Sequence, residues 1–188
     1  MEIVVGITGA SGSIYGIRLL EKLRQHSEVK IHLVLSRSGE RTAWLETGKL
    51  AADLRALAHH WYPNEEVGAA IASGSFVTGG MVIAPCSIHS MSAIAHGISS
   101  NLITRAADVI LKERRRLILM VRETPLHLGH LRAMTQLAEM GAIIAPPIPG
   151  FYTKPESVLD IVDHSVDRVM DLFGLPPADA RRWMGSNS

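Results

Sequence analysis

The chain has 188 residues, a formal net charge of +1 at pH 7 and a hydrophobic fraction of 47%. These values fit one domain that buries its own core, and a near-neutral balance excludes the polyelectrolyte character of a nucleic-acid binder. The single cysteine excludes an internal disulfide and fits a reducing compartment. No apolar run approaches the roughly 18 residues of a membrane span, and Glu2 stands where a signal peptide would be basic. A cytoplasmic protein with no membrane partner is therefore expected, and the apolar fraction suggests surfaces buried between subunits.

Apolar, β-branched runs recur along the chain at 3–7 (IVVGI), 29–35 (VKIHLVL), 80–85 (GMVIAP), 117–121 (LILMV) and 142–146 (AIIAP). The first is followed by a helical stripe of Tyr15, Leu19, Leu20 and Leu23. The fourth is followed by Leu126, Leu131, Met134, Leu137 and Ala138, with Pro125 suited to the first position of that helix. A final stripe runs Val158, Ile161, Val162, Val166, Val169, Met170 and Phe173. Continuous apolar strands alternating with amphipathic helices predict an α/β fold, a mainly parallel sheet covered on both faces. The domain spans 1–174, and 175–188, with Pro176 and Pro177, reads as a tail free to reach a neighbouring subunit.

Ligands of such sheets sit beyond the carboxyl ends of the strands, here 8–13, 36–38, 85–90, 122–124 and 146–152. GITGASGSIYG (6–16) has the glycine density of a phosphate-binding turn. The TGxxxGxG register of short-chain dehydrogenases fails at Ser13 and Tyr15, no acid ends the second strand, and no Tyr-x-x-x-Lys pair occurs. A dinucleotide is thus disfavoured, with only Arg37 suited to a 2′-phosphate; a tight turn without ligand stays open. Ser87 and Ser90 flank a second helix start, so two helix N-termini converge on one sheet edge and suit a mononucleotide such as FMN. Cys86, beside Pro85 with no base assigned, reads as packing rather than a nucleophile. Arg122 suits a phosphate or pairs with Glu123, and 146–152 forms a rigid apolar loop ending in the Tyr152 phenol.

Taken together, ITGASGSIYG, LSRS, SGS (73–75), APCS, NLITRAADVILKERR, RETPLHLGHL and PPIPGFY resemble the UbiX-type flavin prenyltransferases, over about residues 2 to 174. The resemblance implies a Rossmann-like, flavodoxin-related three-layer sandwich. It implies transfer of a dimethylallyl group from dimethylallyl monophosphate to N5 and C6 of reduced FMN, giving prenylated FMN for a UbiD-type decarboxylase, in ubiquinone synthesis or phenolic acid breakdown. It also implies a large homo-oligomer, often a dodecamer, with sites at subunit boundaries. Carried over by motif, Gly9, Ala10, Ser11, Ser36, Ser87, Ile88, His89, Ser90 and Arg122 hold FMN. Arg105, Lys112, Glu123, Tyr152 and Arg168 gather round the prenyl phosphate, and Glu46 of WLETG matches an acid near the flavin.

Those residue types suit the chemistry. No aspartate-rich DDxxD motif is present to hold Mg²⁺, so a metal-free route is expected in which Arg105, Lys112, Arg168 and the Tyr152 hydroxyl stabilise the departing phosphate. Glu123 is the candidate for proton transfer and Ser11 for relaying the N5 proton. Taken alone, Lys112 would be a solvated residue late in a helix, and Arg168 beside Asp167 and Asp171 a surface ion-pair face. His127 and His130, spaced i, i+3 without a third ligand, read as helix-surface histidines. His89, Ser90 and Arg116 depart from the usual lysine, threonine and proline of the family. Two rivals are a flavin-dependent cysteine decarboxylase, disfavoured because no histidine lies between Trp61 and Ser87, and a non-catalytic FMN-binding accessory subunit.

Overall fold

Hydrophobic alternation places the two faces of the first strand in two separate cores. In the computed structural model, which describes residues 1–175, β1 (Glu2–Ile7) sends Ile3, Val5 and Ile7 to one face of the sheet and Val4 to the other. It pairs in parallel with β2 (Lys30–Leu35) and with β4 (Gly80–Cys86). Outside these lie β3 (His60–Pro63), β5 (Arg116–Val121) and β6 (Ile143–Ile144), and the sheet order is β3-β2-β1-β4-β5-β6 with every pairing parallel. The chain builds outward from β1 through β2 to β3, then crosses back to β4 on the other side of β1. That reversal opens a crevice at the carboxyl ends of β1 and β4.

On the first face, α1 (Ser13–Leu23) and α7 (Val158–Leu172) pack together, burying Ile17 and Leu20 against Val162, Val166 and Val169. Each such fully buried aliphatic side chain contributes about 1.5–3 kcal/mol of transfer free energy. Charges tie the same pair: Arg18 meets Asp163 through two bonds of 2.8 Å, and the buried Lys22 ammonium bonds Asp167. α1 lies close to β4 because Gly16 lacks a side chain, and a Cβ there would stand 2.2 Å from the Ala84 carbonyl oxygen. On the opposite face, α4 (Ile88–Ala95), α5 (Leu102–Lys112) and α6 (Leu128–Glu139) bury Met91, Ile94, Ile103, Ile110 and Leu137. Leu175 is 7% exposed and belongs to the first core; the rest of the expected tail lies outside the described residues.

Several features differ from the sequence reading. β3, α2 (Arg37–Thr47) and α3 (Ala51–Ala56) had no periodic signal: β3 is short and half polar at the sheet edge, and α2 buries only Gly39 and Ala43. The helix after β5 does not open at Pro125. It starts at Leu128, with His127 as its cap, because the His127 Nδ1 accepts from the amides of Gly129 (3.0 Å) and His130 (3.4 Å). Leu126 is consequently outside the helical stripe. Among the described residues, no helix is long and apolar enough to cross a membrane.

Candidate functional site

The crevice is stitched by Thr8. Its hydroxyl donates to the Pro85 carbonyl at 2.7 Å and accepts from the Ser87 amide at 2.8 Å, so the loops after β1 and β4 are locked in register. Above them is a cleft of about 410 Å³ whose walls include Gly9, Ser36, Ser38, Ser87, His89 and Ser90. Two helices begin at its rim. Ser36 caps α2, its Oγ accepting from the Gly39 amide at 3.0 Å, and Ser87 caps α4, accepting from the Ser90 amide at 3.3 Å. Each cap leaves its first amides available to an anion; the Ser87 hydroxyl donates to Ser90 Oγ at 3.2 Å, which leaves the Ser90 hydroxyl to donate in its place. Gly9 allows the approach of the two walls, since a Cβ there would lie 2.4 Å from Ser38 Cβ. A phosphate and its polyol chain fit this cradle: converging N–H dipoles, three hydroxyls and no room lost to a side chain at position 9.

The pair of helix starts is not the pair expected from the glycine turn. The N-terminus of α1 is already filled by a carboxylate of the chain itself. Glu46, near the end of α2, accepts from the amides of Gly12 (3.0 Å) and Ser13 (2.9 Å) and from the Ser13 hydroxyl (2.7 Å). Burial opposes its ionisation, but hydrogen bonds from Ser11, Ser13 and Gly12 outweigh burial and hold the carboxyl below its ordinary range. An anion therefore meets α2 and α4, while the glycine turn presents Ser11 beside an ionised Glu46.

The other expected residues fall in three places. Arg122 follows β5, its amide bonded to the Cys86 carbonyl at 3.1 Å, and its charge acts on the Tyr15 phenol, whose pKa burial nonetheless raises. Glu123 beside it is exposed and accepts from the Thr124 amide at 3.0 Å. Ala10 and Ile88 are half-buried at the turn and the α4 start, with Ile88 packed on the second core. Tyr152 and Arg168 form a second group on the α7 side: the Tyr152 hydroxyl bonds His164 Nε2 at 2.9 Å, and Arg168 pairs with Asp171 at 3.0 Å. Arg105 and Lys112 form a third on α5, paired with Asp108 at 3.4 Å and with Glu113.

One chain does not bring the second and third groups together. α5 packs on one face of the sheet and α7 on the other. Ile103 lines the cleft, but Lys112 lies nine positions further along α5, about 14 Å at 1.5 Å per residue, and beside Gly74 near the start of β5. Cys86 is fully buried and burial pushes its thiol up to about 12, which removes it as a nucleophile. Thr8 and Ser38 fall in strand ends that the sequence marks but received no role there, and Asn64 lies outside every marked segment. Asn64 closes the start of α5, its carbonyl and side-chain oxygens accepting from the amides of Leu102 (2.7 Å) and Ile103 (3.1 Å).

The family model described as Flavoprotein matches residues 1–170. The chain is 52% identical over 187 residues to the flavin prenyltransferase UbiX of Escherichia coli strain K12, covering 98% of this chain and 99% of that one. It is 54% identical over 186 residues to the flavin prenyltransferase UbiX of Thauera aromatica, covering 99% and 95%. Among solved structures, a dodecameric FMN-dependent UbiX-like decarboxylase from Escherichia coli O157:H7 matches with a TM-score of 0.97 at 46% identity, over 98% of this chain and 100% of that one. AnUbiX (PadA1), in complex with FMN and dimethylallyl pyrophosphate, matches at 0.96 and 46%, over 98% and 97%. The FMN-dependent cysteine decarboxylase TvaF, at 0.64 and 17% over 88% and 98%, shares the fold alone. A Rossmann-like sheet with its cleft at the β1/β4 reversal, and half of all positions shared over nearly the full length, place the chain in one family: it belongs to the UbiX-type flavin prenyltransferases, within the flavoproteins.

Proposed function

We propose that this protein joins the dimethylallyl group of dimethylallyl monophosphate to N5 and C6 of reduced FMN, without a metal ion, and that prenylated FMN then passes to a UbiD-type decarboxylase. What supports this reading above all is the cleft between the starts of α2 and α4, where Ser36, Ser87 and Ser90 face Gly9 in a cradle suited to a flavin mononucleotide phosphate. Reduced FMN supplies the electron-rich N5 and C6. Arg122 contributes a positive charge that reaches Tyr15 beside the glycine turn, and the His89 imidazole lines the cleft as a hydrogen-bonding group. Ser11, bonded to an ionised Glu46, accepts the proton given up at N5 and relays it to that carboxylate.

The donor's C–O bond breaks with its electron pair leaving on phosphate. Arg168 and the Tyr152 hydroxyl meet that developing charge, and as C6 closes onto the donor's alkene, Glu123 delivers a proton to the other alkene carbon and takes back the one that C6 gives up. Arg105 and Lys112, on the far face in their own chain, come from neighbouring copies, so the working unit is a homo-oligomer, a dodecamer in this reading. The exposed apolar loop with Ile148 at 72% and Phe151 at 71% exposure fits such burial. Anaerobic incubation with reduced FMN and dimethylallyl monophosphate, followed by mass analysis of the flavin, tests the proposal: one added prenyl unit is expected, and unmodified FMN removes it.

A further inference from the structure

His164 bonds one of the residues assigned to the donor phosphate, Tyr152, and lines a cavity with the other, Arg168, although nothing in its sequence context singles it out. It stands on α7 one helical turn before Arg168, and the two share a cavity of about 110 Å³ with Met120, Ala145 and Pro146. Its Nε2 lies 2.9 Å from the Tyr152 hydroxyl, and the two rings meet edge to face with centroids 5.5 Å apart. The neighbouring turn is shaped to admit this contact. A Cβ at Gly150 would stand 2.8 Å from His164 Cε1 and 3.2 Å from Tyr152 Cε1. The φ of Gly150 is −101°, open to any residue, so space rather than backbone conformation calls for glycine there. Thr153 fixes the turn by donating its hydroxyl to the Gly150 carbonyl at 2.9 Å.

We infer that His164 is a positioning residue for the prenyl donor: it holds the Tyr152 hydroxyl beside Arg168 so that phenol and guanidinium address one phosphate. This rests on the proposed function, in which Tyr152 and Arg168 meet that phosphate. A phenol has one proton to give. When His164 Nε2 carries a hydrogen it donates to the Tyr152 oxygen, which fixes the hydroxyl and leaves the ring no claim on its proton. The opposite tautomer would take that proton for the ring. Arg168 and Ser165 are polar residues of the same cavity, but the Ser165 hydroxyl donates to the Ile161 carbonyl at 3.2 Å, and Met120, Ala145, Pro146 and Ile148 add apolar walls. Asp160, one turn earlier on α7, is engaged in capping through the amides of Glu156 and Ser157.

The test uses the assembled protein with inorganic phosphate as the probe, read by phosphorus NMR titration, alongside the KM for dimethylallyl monophosphate and the Kd for FMN. His164→Leu is expected to weaken phosphate binding and raise the donor KM by about tenfold, the loss of an aligned hydrogen bond to a charged group, with FMN affinity unchanged. His164→Gln, whose amide can still donate, restores most of the loss. Gly150→Ala, which displaces the ring without touching its chemistry, reproduces part of it. Tyr152→Phe costs little more once His164 is leucine. The inference is overturned if His164→Leu leaves phosphate binding intact while Tyr152→Phe weakens it, or if the two losses are additive. If Tyr152→Phe and Arg168→Ala both leave phosphate binding intact, the donor-site reading itself falls and takes this inference with it.

Discussion

Ser13 and Glu46 are 33 positions apart, yet the Glu46 carboxylate accepts both the amide (2.9 Å) and the hydroxyl (2.7 Å) of Ser13, occupying the N-terminus of α1. A depressed carboxyl pKa means that the folded state favours the ionised form. The corresponding stability is fully present above the ordinary value of 4.5 and is lost as pH falls through the lowered folded value. Because Glu46 is exposed along one edge, Glu46→Ala is expected to cost only about 0.5–1 kcal/mol near neutral pH. Urea unfolding of both proteins should show the gap closing in acid; a gap that widens there would contradict the assignment. On the proposed mechanism, the same variant also slows turnover, because Ser11 loses its proton acceptor.

Lys112 lies on α5, on one face of the sheet, and Tyr152 is bonded to His164 of α7, which covers the other. Lys112→Ala and Tyr152→Phe are each expected to depress prenyl transfer in homogeneous preparations. Dissociating and reassembling the two variants together should recover activity, since some boundaries then receive Lys112 from one copy and Tyr152 from another. Recovery would be nil if both side chains served a site within one chain.

Lys22 and Asp167 are respectively 7% and 8% exposed, and their ion pair joins α1 to α7. Asp167→Ala leaves a buried ammonium whose remaining carboxylate, among the described residues, is Asp163 at 3.8 Å. Destabilisation of about 3 kcal/mol is expected from thermal or urea unfolding, and replacing Lys22 with methionine in the same background should recover much of it.

The Cys86 thiol is buried and its pKa is pushed up to about 12. At neutral pH it should resist alkylation in the folded protein and react readily in urea, as followed by intact mass. Cys86→Ala should retain prenyl transfer while losing some stability through the cavity it leaves.

The five main strands were legible because each is apolar on both faces, the mark of a parallel sheet covered on two sides. SGERTAWLET carries no such mark: α2 buries only Gly39 and Ala43, so its helicity owes more to the Ser36 cap than to an apolar stripe. In the cleft, Ser87 was readable because a hydroxyl just after an apolar strand is a local signal, whereas Ser36 was assigned there by resemblance. Glu46 was placed near the flavin only by resemblance, and its bond to the start of α1 depends on how α2 folds back over the glycine turn. Thr8 was passed over for a different reason. Its value lies in bridging Pro85 and Ser87, and that follows from β1 and β4 being neighbours, a fact about strand order rather than about any motif.

The division of labour between the two faces of the sheet also sets an order of events. On the proposed function, the α2 and α4 cradle needs one chain only, with β2 and β4 both paired to β1, so that chain would take up flavin while still alone. Donor capture would then wait until copies meet. Catalytic competence is thereby a property of concentration as well as of folding, and dilution should silence the chemistry before it releases the flavin.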